Sequence, residues 1–133
     1  MTMNTPGIPI TLFYAGIMGL LAVALATQVL WARINAKKLP DWKPDTTMRV
    51  QANFVENVPL ALILLYLLEA GGAPQPIVHV LGGALVIARL LHTWGYSSNP
   101  GATYPRLIGA QVTFLLLSIM GFGAIYLSVA PHL

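Results

Sequence analysis

The sequence predicts an all-α fold, an integral-membrane four-helix bundle, and three observations carry that prediction. Hydrophobic residues make up 56% of the chain and charged residues only 8%, against roughly 25% charged in a soluble domain. Four apolar runs are each of roughly the 20 residues needed to cross a bilayer core. The seven Lys and Arg residues fall at one end of those runs rather than spread over a water-facing surface. No room is left for a soluble domain beside the apolar segments, so residues 1–133 read as a single transmembrane domain with helices at about 8–31, 49–69, 77–96 and 107–129.

The first run, Ile8 to Trp31, carries small residues at Ala15, Gly16, Gly19, Ala22 and Ala26, a face on which another helix can approach closely. Trp31 stands where an interfacial aromatic belongs. A signal peptide ending near Ala24-Leu25-Ala26 is the rival reading. No Lys or Arg precedes the run, so a retained helix is expected. Residues 33–48 form a polar loop with Arg33, Lys37, Lys38 and Lys43, broken by Pro40 and Pro44. The second helix, from Arg49 to Glu69, ends at Gly71-Gly72-Ala73-Pro74-Gln75-Pro76, a tight turn without a basic residue. The third helix runs from Ile77 to Tyr96, the loop Ser97–Pro105 follows, and Leu107 to Val129 is the fourth. No internal repeat is evident, which argues against a transporter of the inverted-repeat kind.

Four spans put both termini on one side and the loops 32–48 and 97–106 on the other. All seven basic residues lie in the half containing those loops, so the positive-inside rule makes the loops cytoplasmic and the termini external. Seven basic residues are too few and too clustered for a phosphate-tracking surface, so nucleic acid is not expected as a partner. The chain has no cysteine, which removes disulfides, thiolate nucleophiles and cysteine-based metal sites. His79, His92 and His132 differ in depth, and no metal site is expected.

The polar residues inside the spans are the informative ones, because a charge at bilayer depth needs a partner and often a purpose. Arg49, Asn53 and Glu56 are spaced i, i+4, i+7 and share a helical stripe, with Gln51 nearby. Arg89, His92 and Tyr96 repeat the pattern on the third helix. Arg89 and Glu56 lie at matching depths, ~10 Å in from one interface, and an Arg89–Glu56 ion pair between neighbouring antiparallel helices is the expectation. Arg106 follows Tyr104-Pro105 at the fourth helix N-terminus, where free N–H groups favour an anion. Each residue also has a plain structural reading: Glu56–Arg89 as a pin between helices, Arg49 and Arg106 as headgroup anchors, His92 as a hydrogen-bonded bundle histidine, Tyr96 as an aromatic-belt residue. Their convergence at one level favours a cationic pocket for a small peptide-like anion, with arginines on carboxylates, the glutamate on an ammonium and the amides on amides.

Arg49-x-Gln51-x-Asn53-x-x-Glu56-Asn57, Arg89-x-x-His92-x-x-x-Tyr96 and Arg106 opening the fourth helix resemble the MAPEG family, the membrane-associated proteins of eicosanoid and glutathione metabolism. The resemblance covers essentially the whole chain. It implies a homotrimer, with glutathione as co-substrate held between subunits near the cytoplasmic face. It assigns Arg49, Gln51, Asn53, Glu56, Arg89, His92 and Tyr96 to glutathione binding or its support, and Arg106 to stabilising the thiolate; Arg33 aligns loosely with a first-helix arginine of the family. The implied function is a glutathione transferase or peroxidase acting on lipophilic electrophiles or lipid hydroperoxides drawn from the surrounding membrane lipid. The alternative is a non-catalytic member that binds a lipophilic ligand or a partner protein. Ala52 and Phe54 replace polar residues common in the mammalian motif. Leu107 stands where the prostaglandin-isomerising member has a serine, so that isomerase activity is not expected.

Overall fold

The computed structural model describes residues 7–98 and 104–132, with the side chains of 95–98, 104 and 105 excepted. Four long helices make up the fold: α1 (Ile10–Ile34), α2 (Trp42–Ala70), α3 (Gln75–Ser98) and α4 (Tyr104–Val129). All four contain stretches long and apolar enough to cross a membrane. Short 3₁₀ turns at Ala36–Lys38 and Ala130–His132 complete the regular structure.

α1 begins two residues later than expected and ends three later, whereas α2, α3 and α4 all begin earlier than expected, α2 most of all. The segment Trp42–Met48, expected in the polar loop, is helical. Pro44 does not prevent this, because it lies in the first turn, where the backbone N–H has no intrahelical partner. At 29 residues, α2 is about 44 Å long. It therefore exceeds the ~30 Å hydrocarbon core, and its polar first turns can stand outside it. The loop between α1 and α2 contracts to residues 35–41. Much of the third loop (residues 99–103) lies outside the described residues.

The turn between α2 and α3 closes by a Schellman arrangement. Ala73 N–H donates to the Leu68 carbonyl at 2.9 Å and Gly72 N–H to the Glu69 carbonyl at 3.1 Å. Gly72 has φ +100°, a left-handed conformation open to glycine at little cost. The turn makes α2 and α3 antiparallel neighbours.

One core runs the length of the bundle. α2 contributes Val50, Phe54, Val58, Ala61, Leu65 and Leu68, at i, i+4, i+8, i+11, i+15 and i+18, a single helical face. Tyr14, Met18 and Leu25 face it from α1, Val78, Leu81 and Leu85 from α3, and Leu116 and Met120 from α4. Two glycines set helix spacing. A Cβ on Gly82 would lie 2.4 Å from the Tyr14 ring, so α1 and α3 close only because that position is bare. A Cβ on Gly109 would lie 2.4 Å from the Ala88 carbonyl oxygen and 2.7 Å from the His92 amide nitrogen. There the backbones of α3 and α4 nearly touch. The outward faces are broadly apolar, with Leu20, Val80, Ile87, Phe122 and Ile125 all well exposed, as suits a surface solvated by lipid.

Candidate functional site

The centre of the polar constellation is Arg89, wholly buried on the third helix, with His92 beside it at 1% exposure. An arginine at mid-helix in a membrane segment costs ~2.5–3.5 kcal/mol unless its donors are received. Arg89 Nη1 donates to Asn53 Oδ1 at 2.7 Å. Its Nη2 lies 3.4 Å from His92 Nδ1. The guanidinium carbon sits 5.8 Å from the centre of the Phe54 ring, within cation–π range. Guanidinium carries donors only, so the contact with His92 requires an unprotonated Nδ1 and places the ring proton on Nε2.

The expected Arg89–Glu56 ion pair does not form. Glu56 is exposed and makes no ion pair or hydrogen bond among the described residues. Depth was a sound criterion, but direction around the helix decides the pairing. Taking 100° per residue, Glu56 points roughly 150° away from the centre of the α2 core face, whereas Asn53 lies at roughly 90°, on its edge. The amide on the edge reaches Arg89; the carboxylate turns outward.

Arg49 is turned outward too. It pairs with Asp45 at 2.9 Å, one turn earlier on α2, with both side chains about two-thirds exposed, so it does not join Arg89 within one chain. Gln51 is half-buried on the other side of α2. Arg33 is exposed, and its Nη2 approaches the Met48 sulfur at 3.7 Å. Arg106 is half-buried at the start of α4, one turn before Gly109, whose backbone is pressed against His92. The Tyr96 side chain lies outside the described residues. Asn53, Arg89, His92 and Arg106 are thus brought to one place, while Arg49 and Glu56 line the bare face of α2.

A second polar group, at the opposite end of the bundle, was not anticipated. Glu69, in the last turn of α2, accepts hydrogen bonds from the first-turn N–H groups of α1: from Ile10 N, from Thr11 N at 2.8 Å, and from Thr11 Oγ1 at 2.7 Å. Pro9 caps α1 without a side-chain acceptor, so Glu69 supplies from another helix what a local cap would have supplied. Nearby, Tyr14 Oη lies 2.8 Å from His79 Nδ1 and 3.2 Å from the His79 carbonyl oxygen. The hint in the sequence was a proline, Pro9, at the start of the first helix, where a Ser, Asp or Asn would cap it, and a carboxylate at the far end of the next helix.

The MAPEG family model matches residues 11–126, which takes in every residue of both polar groups except Ile10. The chain belongs to the MAPEG family. Among curated relatives it is similar to the inner membrane protein YecN of Escherichia coli, in strain K12 and in strain O6:H1, each 35% identical over 52 residues. Those matches cover 39% of this chain and 40% of YecN, so the chain aligns with less than half the length of the curated relatives it matches. No solved structure matches. Family membership, four apolar spans and an inner-membrane relative together make this a multi-pass membrane protein.

Proposed function

We propose that this MAPEG protein is a membrane-embedded glutathione transferase or peroxidase that activates a thiolate for attack on lipophilic substrates. The observation that carries the proposal is buried Arg89, fixed by Asn53, beside His92, whose backbone packs on Gly109 one turn after the α4 N-terminal Arg106. A small thiol with pKa ~8.5 is only a few per cent ionised at neutral pH. Moving it to ~6.5 requires about 2.7 kcal/mol of preference for the thiolate, within reach of one arginine at a helix N-terminus in a partly dry site. In the transferase reaction the thiolate forms a C–S bond as a leaving group departs or the adjacent carbon takes up a proton. In the peroxidase reaction two thiols become a disulfide as the hydroperoxide is reduced to an alcohol and water.

Assembly as a homotrimer belongs to this proposal. Arg49 and Glu56 stand on the bare face of α2, and a carboxylate there is costly against acyl chains. A second copy on that face would cover Glu56 and complete a site to which one chain brings only Asn53, Arg89, His92 and Arg106. Arg49, Gln51 and Glu56 would then grip the carboxylates, amide and ammonium of glutathione, with loops 32–48 and 97–106 cytoplasmic and the termini opposite.

One observation favours the second reading, a non-catalytic binder of a lipophilic ligand or partner protein. Arg89 is fully buried, with Asn53, His92 and the Phe54 ring around it, as a structural pin would be. Calorimetry with glutathione, followed by ultraviolet thiolate absorbance of the bound species, separates the readings. Binding with a thiolate band near neutral pH supports the transferase. Absence of binding in a folded, oligomeric preparation supports the second reading.

A further inference from the structure

We propose that the turn leaving α1 binds an anionic phospholipid, with Lys37 and Lys38 on the phosphate and Ile34 beside the start of an acyl chain. Hydrogen bonds fix the turn. Asn35 ends α1 by donating twice to the Trp31 carbonyl, from its backbone N–H at 3.0 Å and its side-chain amide at 2.9 Å. Lys38 N–H then donates to the Asn35 carbonyl at 2.9 Å, and Ala36–Lys38 curls into a 3₁₀ turn. The curl borders a cavity of about 520 Å³ lined by Arg33, Ile34, Asn35, Ala36, Lys37 and Lys38. Trp31, exposed one turn earlier, marks the headgroup level.

The charge at this end of the bundle is unbalanced. All seven Lys and Arg lie toward it, against three carboxylates, Asp41, Asp45 and Glu56. Asp45 is paired with Arg49, and Glu56 stands seven residues further along α2. The side chains of Lys37 and Lys38 are exposed and make no ion pair or hydrogen bond among the described residues. Residues 99–103, Asn-Pro-Gly-Ala-Thr, bring no charge of either sign. The α1 C-terminus offsets only about half a positive charge. The positive-inside rule explains which side of a membrane such lysines take; it does not supply the anion that neutralises them.

Position selects a lipid over other anions. Ile34 is 75% exposed. Taking 100° per residue, it lies roughly 170° from the centre of the α1 core face and so points away from the bundle. It shares the cavity with both lysines. An apolar wall and two cations therefore meet at one level, as the acyl chains and phosphate of a phospholipid do. A free phosphate would fill the cationic part and leave Ile34 bare. A second copy in the same membrane would bring the same excess of cations to the same depth, so it cannot neutralise them. Lys37, Lys38 and Ile34 stand outside the Asn53–Arg89–His92 cluster, and the lipid site does not depend on thiolate activation.

The test uses the purified full-length protein in mild detergent without glutathione, incubated with equimolar phosphatidylglycerol, phosphatidylcholine and phosphatidylethanolamine. Retained lipid is quantified by mass spectrometry after gel filtration. Phosphatidylglycerol should be retained about 25-fold over either zwitterionic lipid, roughly fivefold for each lysine. Lys37→Gln and Lys38→Gln should each remove about fivefold, and the double variant should erase the preference. Lys43→Gln is the control, because Lys43 sits 5.5 Å from the centre of the Trp42 ring and does not line the cavity; its preference should match the parent's. Inorganic phosphate should displace no more lipid than chloride at equal ionic strength. Equal retention of the three lipids by the parent overturns the proposal, as does a preference that survives the double variant. A loss from Lys43→Gln as large as that from Lys37→Gln would leave only a diffuse positive field, and displacement by phosphate would make this a site for a free anion; either result overturns the lipid site.

Discussion

Arg89 Nη1 donates to Asn53 Oδ1 at 2.7 Å, and this bond, not an ion pair, holds the only wholly buried charge among the described residues. Asn53→Leu removes the acceptor of Arg89 Nη1 inside the bundle. Bonds to charged groups contribute about 1.5–3 kcal/mol, so the variant should lose roughly that much in denaturant unfolding followed by circular dichroism. Glu56→Gln should cost less, since the outward-facing carboxylate does not serve Arg89. If Glu56→Gln is the more damaging of the two, the pairing described here is wrong.

The contrast between those two residues shows how far the sequence could be read. Spans were legible because apolar length is a one-dimensional property, and Arg89 and His92 were legible as a pair because i, i+3 places them on one face. Asn53 against Glu56 was not, because both match Arg89 in depth, and only the packed position of α2 says which one faces α3. The early start of α2 was hidden by Pro44, a breaker anywhere but in a first turn. Glu69 was hidden by distance: its partners Ile10 and Thr11 lie 59 and 58 residues away, and no local pattern records them.

Glu69 and Thr11 yield a second prediction. Glu69→Ala leaves the Ile10 and Thr11 amides at a helix start without their acceptor, and each stranded buried donor costs about 1–3 kcal/mol. Thr11→Val removes only the hydroxyl contact and should cost about 0.5–1.5 kcal/mol. Thermal melting in one detergent should rank Glu69→Ala as more damaging than Thr11→Val, with proteolysis near the α1 start rising only in the former. Equal melting of both variants and parent would remove Glu69 as the cap.

A third prediction concerns helix spacing. Gly109→Ala places a methyl carbon 2.4 Å from the Ala88 carbonyl oxygen, and a backbone cannot yield as a side chain does. Overpacking of this kind costs typically 1–3 kcal/mol, and because Gly109 presses on the His92 backbone, the site should distort with it. Gly121→Ala is the control: nothing lies within 4 Å of its added carbon, and alanine is better than glycine in a helix by about 1 kcal/mol. The two substitutions should therefore shift the melting temperature in opposite directions.

The last prediction concerns Arg106 and decides between enzyme and binding protein. If Arg106 stabilises a thiolate, Arg106→Ala should raise the pKa of bound glutathione and slow conjugation with a hydrophobic electrophile. Loss of one preorganised charge-stabilising donor lowers rates ~10²–10³-fold. Binding should weaken much less, because the glutathione carboxylates fall to other arginines. Arg106→Lys should restore only part of the rate, since lysine keeps the charge but not the planar fork. The sign of the pH dependence follows from the chemistry. The parent should reach full rate above its lowered thiol pKa, while Arg106→Ala should still be gaining rate near the ordinary thiol value of ~8.5. Thiolate absorbance across pH 5–10, read beside the conjugation rate in parent and both variants, makes the measurement. A parent that binds glutathione with an unshifted thiol would assign Arg106 to anion binding alone, and the crevice to a ligand-binding rather than a catalytic protein.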